Sequence, residues 1–219
     1  MPASFSGRDI ACRRGERLVF AGLSFALEAG AAMLLTGPNG AGKSSLLRLM
    51  AGLLPPERGA LLWDGTPVAD DPAAHRARLH FVGHHDMVKP TLTVAETARF
   101  WGGLRGAGAA ATARALHRFR LGALAETPCR FLSAGQRRRL NLARLLASEA
   151  PLWLLDEPST GLDRESTADL EAVIAEHRAG GGIVVASTHV PLALEEPERL
   201  ELAPYARARS AAAVAAEIF

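Results

Sequence analysis

The sequence predicts an α/β fold built from a mixed sheet, an antiparallel β-layer and an inserted α-helical subdomain. Three observations predict it. A short apolar run leads through a glycine-rich turn into a helical pattern, as in the βα unit of a parallel sheet. Short strand-like runs separated by turn residues come before that unit. A block rich in Ala, Leu and Arg, about residues 91–147, separates the first strands of the sheet from the later ones.

The first part of the chain supplies the antiparallel layer and the first βα unit. Residues 5–30 are typical of short strands, with turn residues over 11–15 and 28–30. Residues 31–36 are a short buried strand, and apolar side chains recur at helical spacing over 46–50. The glycine-rich turn therefore lies at the end of a strand and at the start of a helix.

The later elements return the chain to the sheet after the helical subdomain. Further strands are predicted at 60–63, 80–82, 152–155, 182–187 and 200–202, the last as an edge strand. Several helices are predicted within 91–147 and one over 164–179. The Ala-rich tail, 206–219, is either a terminal helix or a frayed end. We expect a single domain over residues 1–219.

Composition and charge exclude several classes of protein. The 219 residues are 48% apolar and 22% charged, which fits a folded globular chain. The net charge of +2 gives no strong basic field, so a nucleic-acid partner is not expected. Cys12 and Cys129 have no CxxC spacing, which argues against a disulfide framework or a zinc knuckle. The apolar runs fall far short of the roughly 20 residues of a spanning helix, so the chain is not expected to cross a membrane itself.

Residues 37–44 fit the phosphate-loop pattern G-x-x-x-x-G-K-[ST], between a strand and a helix as the pattern requires. Glycines let backbone N–H groups surround phosphate oxygens, and the helix N-terminus attracts the negative charge. Lys43 would reach the β and γ phosphates, and the Ser44 hydroxyl would face Mg²⁺. The predicted core is therefore that of a P-loop NTPase. The predicted nucleotide contacts are Gly37, Pro38, Asn39, Gly40, Ala41, Gly42, Lys43, Ser44 and Ser45.

Two adjacent carboxylates, Asp156 and Glu157, follow the apolar strand at 152–155. They are expected at the carboxyl edge of the sheet, where ligands bind in such folds. Asp156 suits the Mg²⁺ shell, and Glu157 is placed to accept a proton from the water attacking the γ-phosphate, or to orient that water. Alone, the pair would also fit a strand that stops at an acidic turn. The phosphate loop in the same chain favours the catalytic interpretation.

Residues 132–136, Leu-Ser-Ala-Gly-Gln, open a predicted helix and allow two interpretations. Ser133 and Gln136 have the spacing of a capping box, which leaves Gly135 unexplained. A serine hydroxyl and free N–H groups at the positive end of a helix would also attract an anion, as a second phosphate-binding site. Along this helix the apolar side chains share one face and the arginines point elsewhere: Leu140, Ala143 and Ala147 against Arg137, Arg138 and Arg144.

The chain resembles the ATP-binding cassette (ABC) ATPases in motifs that follow one another in the family's order. They are the phosphate loop, residues 132–136, Asp156-Glu157, residues 159–163 and the lone His189 after a strand. The resemblance spans roughly residues 8–202. It implies a homodimer in which the phosphate loop of one subunit and the signature of the other enclose each ATP. The signature that would act in trans consists of Ser133, Ala134, Gly135 and Gln136.

The same resemblance implies roles for the remaining motif residues. The catalytic residues would be Lys43, Glu157 and His189, with His189 contacting the γ-phosphate and supporting the water held by Glu157. Asp163 would lie at the dimer seam. ATP and Mg²⁺ are the expected ligands, with Mg²⁺ held by Ser44 and Asp156.

The chain departs from the family pattern at three places. His84 and His85 stand where the family usually has a glutamine, so one of them is a candidate for its place near Mg²⁺. Arg14 stands where the family commonly stacks an aromatic ring on adenine; a guanidinium can stack on a base too, and a solvated Arg14 is the alternative. Ala134 replaces a glycine and is small enough to leave the approach open. A metal site formed by His80, His84 and His85 is disfavoured because no carboxylate accompanies them.

Within the family, the chain resembles a transporter subunit, because the stretch from Ser44 to Leu132 is too short for the coiled-coil insertion of DNA-repair and chromosome-organising members. Softer features resemble the haem exporter ATPase subunit of bacterial cytochrome c biogenesis. They are the short length and the segments at 12–17, 63–65, 82–85 and 187–189. This finer resemblance implies ATP-driven haem delivery for c-type cytochromes, at the cytoplasmic face of the bacterial inner membrane.

Integral membrane transporter subunits would then be separate chains, docked in the groove between residues 84–93 and the helical subdomain. Two alternatives stay open. One is an ABC ATPase of an exporter for another substrate, such as a drug or lipid. The other is a soluble nucleotide-dependent nucleic-acid factor, supported only by Arg118, Arg120 and residues 137–139.

Overall fold

The computed structural model describes residues 3–190 and 192–206. An antiparallel sheet contains β1 (Ser4–Arg14), β2 (Arg17–Glu28), β4 (Arg58–Trp63) and β5 (Thr66–Pro67). Its strand order is β2-β1-β4-β5. This sheet is the predicted β-layer. In the chain, β1 and β2 come before the first βα unit, and β4 and β5 come just after it.

A second sheet consists of parallel strands. It contains β3 (Ala32–Thr36), β6 (Leu79–Val82), β7 (Leu152–Asp156), β8 (Ile183–Ser187) and β9 (Glu198–Glu201). The strand order is β6-β7-β8-β3-β9, and every pair is parallel. The sequence predicted a mixed sheet; the structure instead separates the antiparallel strands from this parallel sheet. The predicted edge strand is β9, at one end of the order.

The helices connect the parallel strands. They are α1 (Lys43–Met50), α2 (Pro72–Ala77), α3 (Val94–Gly103), α4 (Ala109–Arg118), α5 (Ala134–Ala147) and α6 (Arg164–Ala179). Helices α3 to α5 are inserted between β6 and β7, which are neighbours in the sheet. Thr93 begins α3 with a capping box to Glu96, which fixes where the first inserted helix starts. In the described ranges, no helix combines the length and apolar character needed to span a membrane.

The parallel sheet divides the interior into two hydrophobic cores, because successive side chains of a strand point to opposite faces. In β7, Leu152 and Leu154 pack in the core shared with α1 and the antiparallel sheet. Trp153 and Leu155 pack in the core shared with α3 to α6. The two cysteines are both buried and free, Cys12 in the first core and Cys129 in the second.

Two sequence predictions need comment. The predicted turn over 11–15 is wrong for residues 11–14, because β1 continues through Arg14 and pairs with β2 up to Arg17. Buried Ile10 and Cys12 tie this stretch to the first core, which outweighs the polar residues after it. The predicted terminal helix falls on residues 207–219, which lie outside the described part of the chain. Ala206 is described and bridges to Phe20 of β2.

Candidate functional site

An open cleft of about 770 Å³ lies at the carboxyl edge of the parallel sheet. Because β3, β7 and β8 are parallel, the residues that follow them meet at this edge. The cleft brings together Arg14, Asn39, Gly40, Gly42, Lys43, Ser44, Ser45, His84, Asp156, Glu157 and His189. It is also lined by residues that were not predicted as site residues: Arg17, Val19, Arg48 and Thr160. Their position on elements next to the phosphate loop and β7 is the feature from which they could have been predicted.

The phosphate loop turns through glycines in left-handed backbone conformations. Gly37, Gly40 and Gly42 have φ of 130°, 79° and 106°. At Gly42 a side chain is excluded by space as well, since a Cβ there would lie 2.7 Å from Val19 Cγ1 and 3.0 Å from Phe20 Cδ1. Gly42 begins α1 without a side-chain cap, so the first N–H groups of α1 keep their hydrogen-bonding capacity for an anion.

Lys43 hydrogen-bonds through its side chain to two backbone carbonyl oxygens of the phosphate loop. Its side chain is buried, and Nζ donates to Gly37 O at 2.7 Å and to Pro38 O at 3.2 Å. An ammonium has three N–H donors, so one is left for a phosphate oxygen. The positive charge is therefore placed in the loop before any nucleotide binds.

Asp156 ends β7 and is 2% exposed. Ser187, at the end of β8, donates from Oγ to Asp156 Oδ1 at 2.7 Å, which fixes the orientation of the carboxylate. Ser44 lines the same cleft. A carboxylate and a hydroxyl are the hard oxygen ligands that Mg²⁺ takes beside phosphate, so this donor set fits the ion.

Glu157 has a left-handed backbone, with φ of 51°. Its N–H donates to Ser187 O at 3.0 Å, and its carboxylate points towards His189. The carboxylate is mostly buried, with 13% of the side chain exposed, while His189 is about half exposed at 49%. A non-glycine residue in this region is uncommon and persists where the surroundings fix it.

The three histidines after α2 do not form one cluster. His80 is buried, its Nε2 lies 3.0 Å from Ser148 O, and burial lowers the pKa of its imidazole to about 4. His84 and His85 are exposed, and only His84 lines the cleft. Over residues 3–190 and 192–206, no group of three His, Cys, Asp or Glu side chains could hold a metal. His84 is therefore the histidine that lies beside the predicted Mg²⁺ ligands.

The signature segment lies outside the cleft of its own chain. Ser133 Oγ accepts from Gln136 N–H at 3.2 Å, and Gln136 Oε1 accepts from Ser133 N–H at 2.8 Å, which is a complete capping box. Position 135 requires a glycine because a Cβ there would lie 2.9 Å from Gly161 O. Ser133 and Ala134 are exposed, so the helix start is open to a second molecule.

Asp163 begins α6, and its Oδ1 accepts from Ser166 N–H at 2.7 Å. This hydrogen bond lowers the pKa of the carboxyl group. Asp163 is exposed and, like the signature, does not line the cleft of its own chain.

Several arginines are engaged within the chain itself. Arg118 lies 2.8 Å from Glu176, and Arg120 lies 2.6 Å from Asp169 on α6. These contacts join the helical subdomain to α6. Arg138, predicted to point away from the packed face of α5, is 4% exposed. The apolar periodicity of α5 did not indicate that this arginine is buried.

The comparisons with known proteins agree with this geometry. The sequence profile described as ABC transporter matches residues 20–160. This chain belongs to the ABC transporter ATPase family. A relative from Paramagnetospirillum magneticum, named cytochrome c biogenesis ATP-binding export protein CcmA, is 55% identical over 93% of this chain and 96% of its own. One of the same name from Rhodospirillum rubrum is 57% identical over 97% and 91%. A solved ATP binding subunit of an ABC transporter matches with TM-score 0.77 and 27% identity, over 85% of this chain and 79% of its own.

Proposed function

We propose that this ABC ATPase drives an export complex of cytochrome c biogenesis, with haem delivery as its task. The single observation that carries the catalytic part is the convergence of Lys43, Asp156 and the Glu157–His189 pair on one cleft. The export and cytochrome part is supported by the two CcmA relatives, which match along nearly their whole length.

ATP would lie with its phosphates in the phosphate loop. Backbone N–H groups of the phosphate loop and the Lys43 ammonium would neutralise the phosphate charge, and Ser44 and Asp156 would hold Mg²⁺. When bound, Mg²⁺ supplies further neutralisation of the β and γ oxygens. Arg14, at the rim of the cleft, is available to stack on the base.

Glu157 would act on the attacking water. Its carboxylate orients the water and accepts its proton, while the His189 imidazole steadies that carboxylate and contacts the γ-phosphate. The His189 backbone N–H donates to Glu157 Oε2 at 3.0 Å, and the imidazole Nε2 lies 3.5 Å from Oε1, which supports this pairing.

The active assembly would be a homodimer. Ser133, Ala134, Gly135 and Gln136 of one subunit close over the ATP of the other, with Asp163 at the seam. The exposure of Ser133 and Asp163, both outside their own cleft, supports a role in trans. Integral membrane transporter subunits would receive the resulting motion at the inner face of the bacterial membrane.

The proposal is tested by deleting the gene in the bacterium that encodes this chain and staining for mature c-type cytochromes. We expect the haem stain to disappear, to return with the wild-type gene, and to stay absent with Glu157→Gln. Glu149→Gln, an exposed position before β7, is the matched control and should restore the stain. Normal cytochromes in the deletion strain would assign the ATPase to another exported substrate.

A further inference from the structure

Arg138 lies at the centre of a network that joins separate segments around the cleft. Its charged side chain is 4% exposed. Nη2 donates to Asp156 O at 2.9 Å and to Glu157 O at 2.7 Å. Nε donates to Pro158 O at 3.1 Å. One guanidinium therefore holds three consecutive carbonyl groups at the end of β7.

The opposite side of the same guanidinium holds the loop after β6. Nη1 donates to Gly83 O at 3.0 Å and to Asp86 Oδ1 at 3.1 Å. Asn141, on the next turn of α5, donates to the same Asp86 oxygen at 3.2 Å. Asp86 thus supplies the negative charge that a buried guanidinium requires, and its own orientation is fixed by a second donor.

Glu157 is the residue in this network whose geometry needs support. Its left-handed backbone, with φ of 51°, directs the side chain differently from a continued strand. Arg138 holds the carbonyl on one side of the residue, and His189 N–H holds the carboxylate on the other. Release of the carbonyl would let the backbone relax and turn the carboxylate out of the cleft.

We propose that Arg138, held by Asp86, is a positioning residue for ATP hydrolysis. It fixes the main chain of residues 156–158 so that the Glu157 carboxylate faces the reacting water. The inference rests on the proposed function, because Arg138 acts through Glu157. A lysine cannot do the same, since one ammonium lacks the planar fork that reaches acceptors on both sides.

The first test is the steady-state ATPase activity of Arg138→Lys. We expect kcat to fall about 10- to 100-fold, as for a misplaced catalytic group, with KM for ATP changed less than about threefold. Arg178→Lys is the matched control, because Arg178 also bridges two segments by donating to Gly30 O at 2.8 Å and Glu195 O at 2.7 Å, at the other end of the sheet. Its kcat should stay within about twofold of wild type.

A second test separates positioning from general stability. In the Glu157→Gln background, Arg138→Lys should cause no further loss of residual turnover, because both changes remove the same function. Asp86→Asn removes the carboxylate that holds the Arg138 guanidinium against its main-chain acceptors, so kcat should fall here too, at unchanged KM. If thermal melting shows that Arg138→Lys does not fold, Asp86→Asn provides the test of the positioning role.

Three results would overturn the role of Arg138. They are a kcat within about twofold of wild type in folded Arg138→Lys or in Asp86→Asn, an equal loss in Arg178→Lys, and a further loss in the Glu157→Gln background. Normal hydrolysis by Glu157→Gln alone would instead contradict the proposed function. The two failures are therefore distinguishable.

Discussion

Glu157 and His189 meet across the ends of β7 and β8. The His189 backbone N–H donates to Glu157 Oε2 at 3.0 Å, and His189 Nε2 lies 3.5 Å from Oε1. This contact requires the two strands to stay in the register that pairs Asp156 with Ser187. The hydrogen-bond register of the parallel sheet therefore sets the geometry of this proposed catalytic pair.

Replacing Glu157 by Gln should abolish turnover and preserve nucleotide binding. Glutamine keeps the size and one oxygen of the side chain but cannot accept a proton from water. We expect kcat to fall at least about 100-fold, with ATP affinity nearly unchanged and a closed dimer accumulating. Phosphate release and sedimentation in ATP measure these outcomes. Glu149→Gln, at the other end of β7, is the control; normal turnover in Glu157→Gln would refute the assigned role.

Lys43→Ala should weaken nucleotide binding. The change removes the ammonium that bridges Gly37 O and Pro38 O and that is proposed to bind the phosphates. Loss of a charged hydrogen bond of about 1.5 to 3 kcal/mol predicts roughly 10- to 100-fold weaker ATP binding by calorimetry. Arg76→Ala, which removes an exposed positive charge on α2, should bind normally. Wild-type affinity in Lys43→Ala would contradict the phosphate contact.

Gly42→Ala should destabilise the fold more than Gly40→Ala. Both residues have positive φ, but only at Gly42 would a methyl group meet Val19 and Phe20; at Gly40 nothing lies within 4 Å. We expect a loss of about 2 to 4 kcal/mol in the free energy of unfolding at Gly42, and about 1 to 2 kcal/mol at Gly40. Urea unfolding measures the difference. Equal losses at the two positions would show that Val19 and Phe20 can move away from the methyl group without a loss of stability.

His80 should make the fold sensitive to acid. Burial, followed by the charges of Arg105, Arg144 and His177, lowers the pKa of His80 from 6.5 to about 4, against a backbone hydrogen bond that raises it. Below pH 6.5 the unfolded chain gains a proton that the folded chain does not bind, so the folded state loses stability as the pH falls towards 4. We expect a loss of about 3 kcal/mol between pH 7 and 4 from this residue.

The measurement is urea unfolding of wild type and His80→Gln across that range. Gln can still donate to Ser148 O but does not titrate, so the variant should show a shallower pH dependence. Exposed His117→Gln is the control and should follow the wild-type curve. Parallel curves for wild type and His80→Gln would contradict the prediction.

Elements with strong local patterns could be predicted from the sequence, and elements set by tertiary contacts could not. The predicted helix over 164–179 has the observed bounds, because Asp163 caps it and an apolar stripe runs along it. Helix α2 was not predicted, since six residues give no periodicity. The continuation of β1 to Arg14 depends on pairing with β2, which a local turn pattern does not reveal.

The site divides in the same way. Lys43, Asp156 and Glu157 belong to contiguous motifs, so their chemistry could be predicted from the sequence. The fold places them in one cleft. Arg138 belongs to no such motif, because its acceptors are main-chain oxygens, which carry no signature in the sequence. The choice between His84 and His85 likewise required the path of the loop, and His84 is the one that lines the cleft.

The close approach of Gly135 to Gly161 O, which leaves no room for a methyl group, places the start of α5 directly against the turn before α6. The surface proposed to face a neighbouring copy is therefore a composite of two stretches far apart in the chain. A synthetic peptide of residues 132–136 would not reproduce it, and an inhibitor aimed at this surface must recognise the folded protein.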